Sequence, residues 1–353
     1  MSESLFPGLL LPPHFEPEKA GQIWKVKYEE MAKAAQEWAS RYAIPPAASD
    51  NFRVALLLID VQNTFCLPDF ELFVGGRSGA GAIEDNRRLA AFIYRNLGRL
   101  TEITLTLDTH QVMQIFHAIY LIDADGNHPA PYTLVGAADI QKGRWRFNPA
   151  IAHSLDITPE YGQAQLANYV QQLEARQKYA LTIWPYHSIL GGIGHALVPL
   201  IEEAVFFHTI ARAAQAEFIV KGANPFTESY SAIGPEVLED GAGKQLARKN
   251  DQIIRLVEQF DAVVVAGQAK SHCVAWTIAD LLNEISIRNP ALTHKVYLLD
   301  DCSSPVVIPG AIDYTDQAEA AYQRFAEAGM RRVLSTDLME NWPGMPASLP
   351  AGG

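Results

Sequence analysis

Hydrophobic positions along this chain follow two alternating rhythms. Six short runs, VALLLI (54–59), ITLTL (103–107), EFIVK (217–221), AVVVAG (262–267), KVYLLD (295–300) and RRVLST (331–336), have the length and β-branched content of strands. Between them, AIEDNRRLAAFIYRNL (82–97), KQLARKNDQIIRLVEQF (244–260), CVAWTIADLLNEI (273–285) and QAEAAYQRFAEAG (317–329) carry apolar residues at helical spacing. Strand and helix in turn predict an α/β fold: a three-layer, doubly wound and mostly parallel sheet with helices on both faces.

Three regions fall outside that rhythm. Residues 19–42 read as a helix that ends before Ile44-Pro45-Pro46, so residues 1–50 are expected to form a helical extension and linker ahead of a domain over 51–340. Residues 118–181 carry Gly, Pro and polar positions followed by a helical stretch at about 160–177, and read as an insertion on top of that domain. The Pro- and Gly-rich end, 341–353, reads as a flexible tail.

Composition narrows the partners. The chain is 48% hydrophobic and 19% charged, as soluble domains are, and its net charge of -12 argues against nucleic acid, whose phosphates need clustered Lys and Arg. An apolar stretch long enough to span a membrane is absent, so no membrane partner is expected. The first residues lack a basic targeting region, and Cys66, Cys273 and Cys302 are too few for a disulfide scaffold, which together predict a cytoplasmic protein with reduced thiols. A homo-oligomer remains open.

Chemistry enters at the strand ends. Asp60, Asp108, Lys221 and Cys273 each lie at or just past the C-terminal end of a predicted strand, where sites form in open α/β sheets, so the four are expected to converge on one sheet edge. A helix start and a nearby Lys221 would favour the Cys273 thiolate, and Asp60 could take the thiol proton and return it to a departing amine. Singly, each residue also has a plain structural reading: Cys273 a small buried hydrophobe, Asp60 a helix cap, Lys221 a surface charge.

The segments IDVQNTFC (59–66), LDTH (107–110), WPYHSILGGIG (184–194), VKGANPFTESYSA (220–232) and GQAKSHCV (267–274) occur in this order. Together they resemble the nicotinamidase branch of the isochorismatase-like cysteine hydrolases, over residues 52–340 apart from the insertion. The resemblance implies Asp60 as general base, Lys221 as activating lysine and Cys273 as nucleophile. It implies a cis peptide at Gln268–Ala269, with the Ala269 and Cys273 amides forming an oxyanion hole. It also implies that Asp108, His110 and His187 bind one divalent metal, Zn²⁺ first, with Fe²⁺ and Mn²⁺ as alternatives. Phe65, Trp184 and Tyr230 match positions lining the substrate pocket, and the implied substrate is a small amide, nicotinamide first.

Departures bear on the pocket. Thr64, Ser188, Gly191-Gly192 and His195 stand where the family usually has other residues, and the insertion separates His110 from His187. Two other functions therefore stay open: the same trio acting on another amide, a carbamoyl compound or an isochorismate-like acid, and a ligand-binding member of the fold without turnover. His117, His128, His153, His208 and His294 lack motif support and read as surface or hydrogen-bonded histidines. His272, Cys66 and Cys302 receive no catalytic role.

Overall fold

The continuous apolar run Val54–Ile59 forms strand β1, and all six of its residues are buried. The chain is seen here as a computed structural model that describes residues 9–310 and 312–346. Most of the expected tail, 347–353, lies outside the described residues, as do the first eight of the N-terminal extension. By its internal contacts the chain divides into two units. The first comprises residues 1–107, 196–219 and 251–353, and the second 108–195 and 220–250.

The first unit is built on a six-stranded sheet. Its strands are β1, β2 (Glu102–Asp108), β3 (Glu217–Lys221), β4 (Ala262–Gly267), β5 (Val296–Leu299) and β6 (Arg331–Val333), in the order β6-β5-β4-β1-β2-β3. β1 pairs parallel to β2 and β4, β4 to β5 and β5 to β6. Strands buried on both sides read as unbroken apolar runs, and β1 and β4 are such strands.

Six helices accompany the sheet: α1 (Tyr28–Arg41), α2 (Gly81–Arg95), α4 (Pro199–Arg212), α5 (Gln252–Gln259), α6 (Ala275–Arg288) and α7 (Thr315–Glu327), α3 being reserved for the second unit. From β1 the chain moves outward through β2 to β3, then returns to β4 and moves the other way through β5 to β6. Right-handed crossovers in opposite directions put their helices on opposite faces. The packing agrees, since α4 contacts α1 and α2, whereas α6 contacts α5 and α7. The order reverses between β1 and β4, the place where doubly wound sheets hold their sites.

Several elements differ from the pattern. The first helix starts at Tyr28 rather than near Lys19, with Gly21 ahead of it and Glu29 and Glu30 in its first turn where the helix dipole favours acids. The helix expected over 244–260 begins only at Gln252. Ahead of it, the Leu246 and Asn250 N–H groups donate to the Leu238 and Ile233 carbonyls, which withdraws that stretch from the helix. α4 was not evident from the pattern, although Pro199 at its first turn and the buried Leu200, Ile201, Ala204, Val205 and Phe207 mark an amphipathic helix. Trp342, at the start of the expected tail, is packed rather than loose, stacked on Phe92 and Tyr297 at 5.8 and 5.7 Å between ring centroids.

The second unit absorbs the expected insertion. Residues 118–181 form the greater part of the second unit, whose buried residues include Tyr120, Phe147, Leu166, Tyr169, Val170 and Leu181. Its longest element is α3 (Pro159–Ala175), capped by the Thr158 side chain accepting from the Tyr161 N–H. Two-residue ribbons pair 121–122 with 146–147 and 134–135 with 181–182.

Candidate active site

In the first unit the site is set by strand register. Ile59 of β1 lies opposite Thr106 of β2 and Gly267 of β4. Asp60 follows directly, with φ of 49°, and is fully buried. Its amide donates toward the Thr106 hydroxyl at 3.1 Å, and that hydroxyl donates to Asp60 Oδ1 at 2.6 Å. One hydroxyl thus joins the Asp60 amide to one oxygen of its carboxylate and orients the side chain. On the other side, Gly267 has φ of 123°, and a side chain there would run into the backbone of Ile59.

The chain then turns into the segment that carries the thiol. The Gln268–Ala269 peptide is cis. The Gln268 side chain donates to Asp85 Oδ2 at 2.8 Å and accepts from the Ser304 amide at 3.3 Å. Burial pushes the Asp85 carboxyl up, against hydrogen bonds from Ser304 and Gln268 and the charge of Arg88. Cys273 is buried within a π-helical turn, Lys270–Val274, and so sits just before α6 rather than in its first turn. The other two thiols are placed differently: burial pushes Cys66 up to about 12 and raises Cys302 well above the ordinary range. Phe65 is buried in the short helix Asn63–Cys66 of the same unit.

The second unit gathers the donor groups. Asp108, His110 and His187 are all buried, and their ligand atoms lie within 4.8 Å of one another. His110 Nε2 is 2.8 Å and His187 Nε2 3.6 Å from Asp108 Oδ2. The Nδ1 of His110 sits 3.1 Å from the Gly222 carbonyl, and that of His187 2.8 Å from the Pro185 carbonyl. With Nδ1 set against a backbone carbonyl, each imidazole turns its Nε2 toward Asp108, the arrangement that orients metal-binding histidines. Gly222, at φ of 82°, completes the cradle, for a Cβ there would stand 2.7 Å from His110 and 2.9 Å from Asp108. One carboxylate and two imidazoles so arranged fit a divalent ion of the Zn²⁺, Fe²⁺ or Mn²⁺ kind.

Lys221 closes the charge balance. Its ammonium donates to Asp108 Oδ1 at 2.7 Å and to the Ser229 carbonyl at 2.9 Å. Burial alone would push the Asp108 carboxyl up, but His110, Lys221 and hydrogen bonds from both histidines hold it well below the usual range. Burial lowers His187 despite its bond to Asp108. Trp184 Nε1 donates to the Tyr230 hydroxyl at 3.0 Å, so these two predicted pocket residues form one unit.

Thus Asp60, Phe65, Gln268, Ala269 and Cys273 belong to the first unit, and Asp108, His110, Trp184, His187, Lys221 and Tyr230 to the second. Two residues of the second unit escaped the sequence reading. His117, expected as a surface or hydrogen-bonded histidine, is fully buried, with its Nδ1 3.1 Å from the Val112 carbonyl and its ring 6.0 Å from that of His110 and 5.8 Å from that of His187. Its Nε2 lacks a hydrogen-bond partner among the described residues, and burial followed by the neighbouring histidines lowers it to about 3. Glu228 is buried beside Tyr230, and burial with nearby Glu236 raises it well above the carboxylate range. Nothing local in QIFHAIY or PFTESYS distinguishes either residue from a surface polar group.

No family model matches the chain, and no curated protein matches it. Among solved structures it is similar to a nicotinamidase/pyrazinamidase of Acinetobacter baumanii, at 21% identity over 81% of this chain and 97% of that one, with a TM-score of 0.47. It is also similar to the yeast nicotinamidase bound to the inhibitor nicotinaldehyde, at 17% identity over 80% and 99% of the two chains, TM-score 0.49. A third, the pyrazinamidase of Pyrococcus horikoshii in complex with zinc, shares 18% identity over 80% and 99%, TM-score 0.42.

Proposed function

We propose that this chain is a cysteine-dependent amidohydrolase of the isochorismatase-like superfamily, and that its substrate is nicotinamide. The observation that carries the reading is the Asp108–His110–His187 donor group, with both Nδ1 atoms tied to backbone carbonyls. The metal-free isochorismatase branch has no use for such a group, whereas the nicotinamidase branch does.

In this reading the Cys273 thiolate attacks the carboxamide carbon, the C–N bond breaks and ammonia leaves with the proton that Asp60 took from the thiol. Water then cleaves the thioester, giving the carboxylic acid and the free thiol. Lys221 favours the anionic state of the groups around it, and the Ala269 and Cys273 amides receive the developing oxyanion. Asp108, His110 and His187 would hold a divalent ion, which would supply Lewis acidity.

Ammonia release from nicotinamide, measured on chelator-treated protein with and without Zn²⁺, Fe²⁺ or Mn²⁺, tests the reading. Metal-restored turnover is expected. Absence of turnover with any of the three ions, in a protein that retains them, would reject nicotinamide as the substrate.

A further inference from the structure

The turn that carries Cys273 is held from behind by charges the chemistry does not use. Lys270, three residues before the cysteine, is buried, and its ammonium donates to Asp300 Oδ1 at 2.7 Å and also to Glu319 of α7. Its Nζ stands 4.4 Å from the centre of the Tyr322 ring on the same helix. Arg332 of β6 shares both acids, through Nε to Asp300 at 2.9 Å and Nη2 to Glu319 at 2.8 Å. Two cations and two carboxylates therefore alternate, with the nucleophile's turn attached through one of the cations.

The backbone of the same turn is tied to the segment after β5. The Lys270 amide donates to the Ser304 carbonyl at 2.8 Å. The Ser304 amide donates back to Gln268 Oε1, and the Val306 amide donates to Ser271 Oγ at 3.0 Å. Every residue from Gln268 to Ser271 except Ala269 thus has a bond to residues 300–306. A lysine is costly to bury, and this one is far from idle: its charge ties the turn to Glu319 of α7 directly and to Arg332 of β6 through the two acids they share.

We infer that Lys270 is a positioning residue that fixes the turn bearing Cys273, acting through Asp300, Glu319 and Arg332 and without touching substrate. The inference rests on the reading of Cys273 as nucleophile. Charge-anchored turns of this kind hold a reacting atom to within a fraction of an ångström, and a 1 Å misplacement costs about a hundredfold in rate.

The test uses the full chain and two readouts: kcat and KM for nicotinamide, and the pH profile of iodoacetamide alkylation at Cys273, followed by peptide mass spectrometry. Lys270→Met is expected to lower kcat about tenfold or more while KM stays within about threefold. Its alkylation profile should move to higher pH by about one unit, so that labelling near neutral pH slows about tenfold. Lys270→Arg, which keeps the charge, should recover most of both. Unchanged kcat and an unchanged alkylation profile in Lys270→Met would overturn the inference. Should that variant fail to fold, Ser271→Ala decides: loss of the Val306 bond should move both readouts the same way by about threefold, and no movement would overturn it. Wild-type protein in which Cys273 is not labelled ahead of Cys66 and Cys302 would instead reject the nucleophile, and this inference with it.

Discussion

The two units place their reactive groups by different means. In the first, Asp60 is fixed by the end of β1, by a register that sets Ile59 against Gly267, and by hydrogen bonds with the neutral Thr106 hydroxyl, while the Cys273 turn adds the charge anchor at Lys270. In the second, Asp108 and Lys221 are the last residues of β2 and β3, His110 and His187 are oriented by loop carbonyls, and the group is balanced by its own charges. A group held by a neutral partner, as Asp60 is by Thr106, should tolerate loss of that partner better than a buried cluster balanced by its own charges.

Five substitutions probe that difference. Cys273→Ala should abolish turnover, a loss of about 10⁴-fold or more as for other essential nucleophiles, yet leave Tm close to wild type because the site lies on the sheet rather than supporting it. Residual activity of even a few per cent would remove Cys273 from the chemistry. Lys221→Met should instead act on stability: stripping the cation from buried Asp108 is expected to cost about 3–5 kcal/mol in urea unfolding. Asp60→Asn, which keeps an acceptor for Thr106, should cost less than half of that, and equal losses would erase the contrast between the units.

Gly222→Ala sharpens the comparison within the loop-built cluster. Its Cβ would press on His110 and Asp108 in a backbone conformation that L residues avoid, so metal affinity should fall about 10–100-fold, read by competition with a chromophoric chelator. The smallest effect is expected at Glu203 on α4, in the sheet-based unit. Burial raises this carboxyl to about 7, partly offset by a hydrogen bond from Tyr94, against 4.5 when unconstrained. Below about pH 4.5 it is protonated folded or unfolded and makes no difference; between about 4.5 and 7 the unfolded chain releases the proton first, so the folded state is progressively disfavoured, and above 7 the penalty is full. Glu203→Gln should therefore raise Tm at pH 8 and leave it unchanged at pH 4. A gain at pH 4 instead would show that the sign of the shift is wrong.

How much could be read in advance followed the same division. β1 and β4 coincide with the runs at 54–59 and 262–267 because strands buried on both faces are written as unbroken apolar sequence. The spacing of Asp108 and His110 put both on one face of an extended segment. The approach of His187 depends on a long detour of chain, and no local pattern encodes that return. Residues 118–181 looked like an excursion because their apolar residues are dispersed among Gly, Pro and polar positions, with no period long enough to announce a core. His117 and Glu228 were missed for the related reason that burial of a lone polar residue is a property of the surroundings. The helix expected at 244–260 failed where its donors found carbonyls at 233–238.

The strand order carries a consequence for synthesis. β1 pairs on one side with β2, which follows soon after, but on the other with β4, whose first residue is Ala262. A ribosome adding about 5–20 residues per second delivers the intervening stretch of roughly 200 residues in about 10–40 s. Throughout that interval the most apolar strand of the protein has one edge unpaired, in a nascent chain that is still growing. The arrangement that seats Asp60 beside the Cys273-bearing strand thus makes the nascent protein a natural client for chaperones that shield exposed strands, and a poor candidate for expression as an N-terminal fragment.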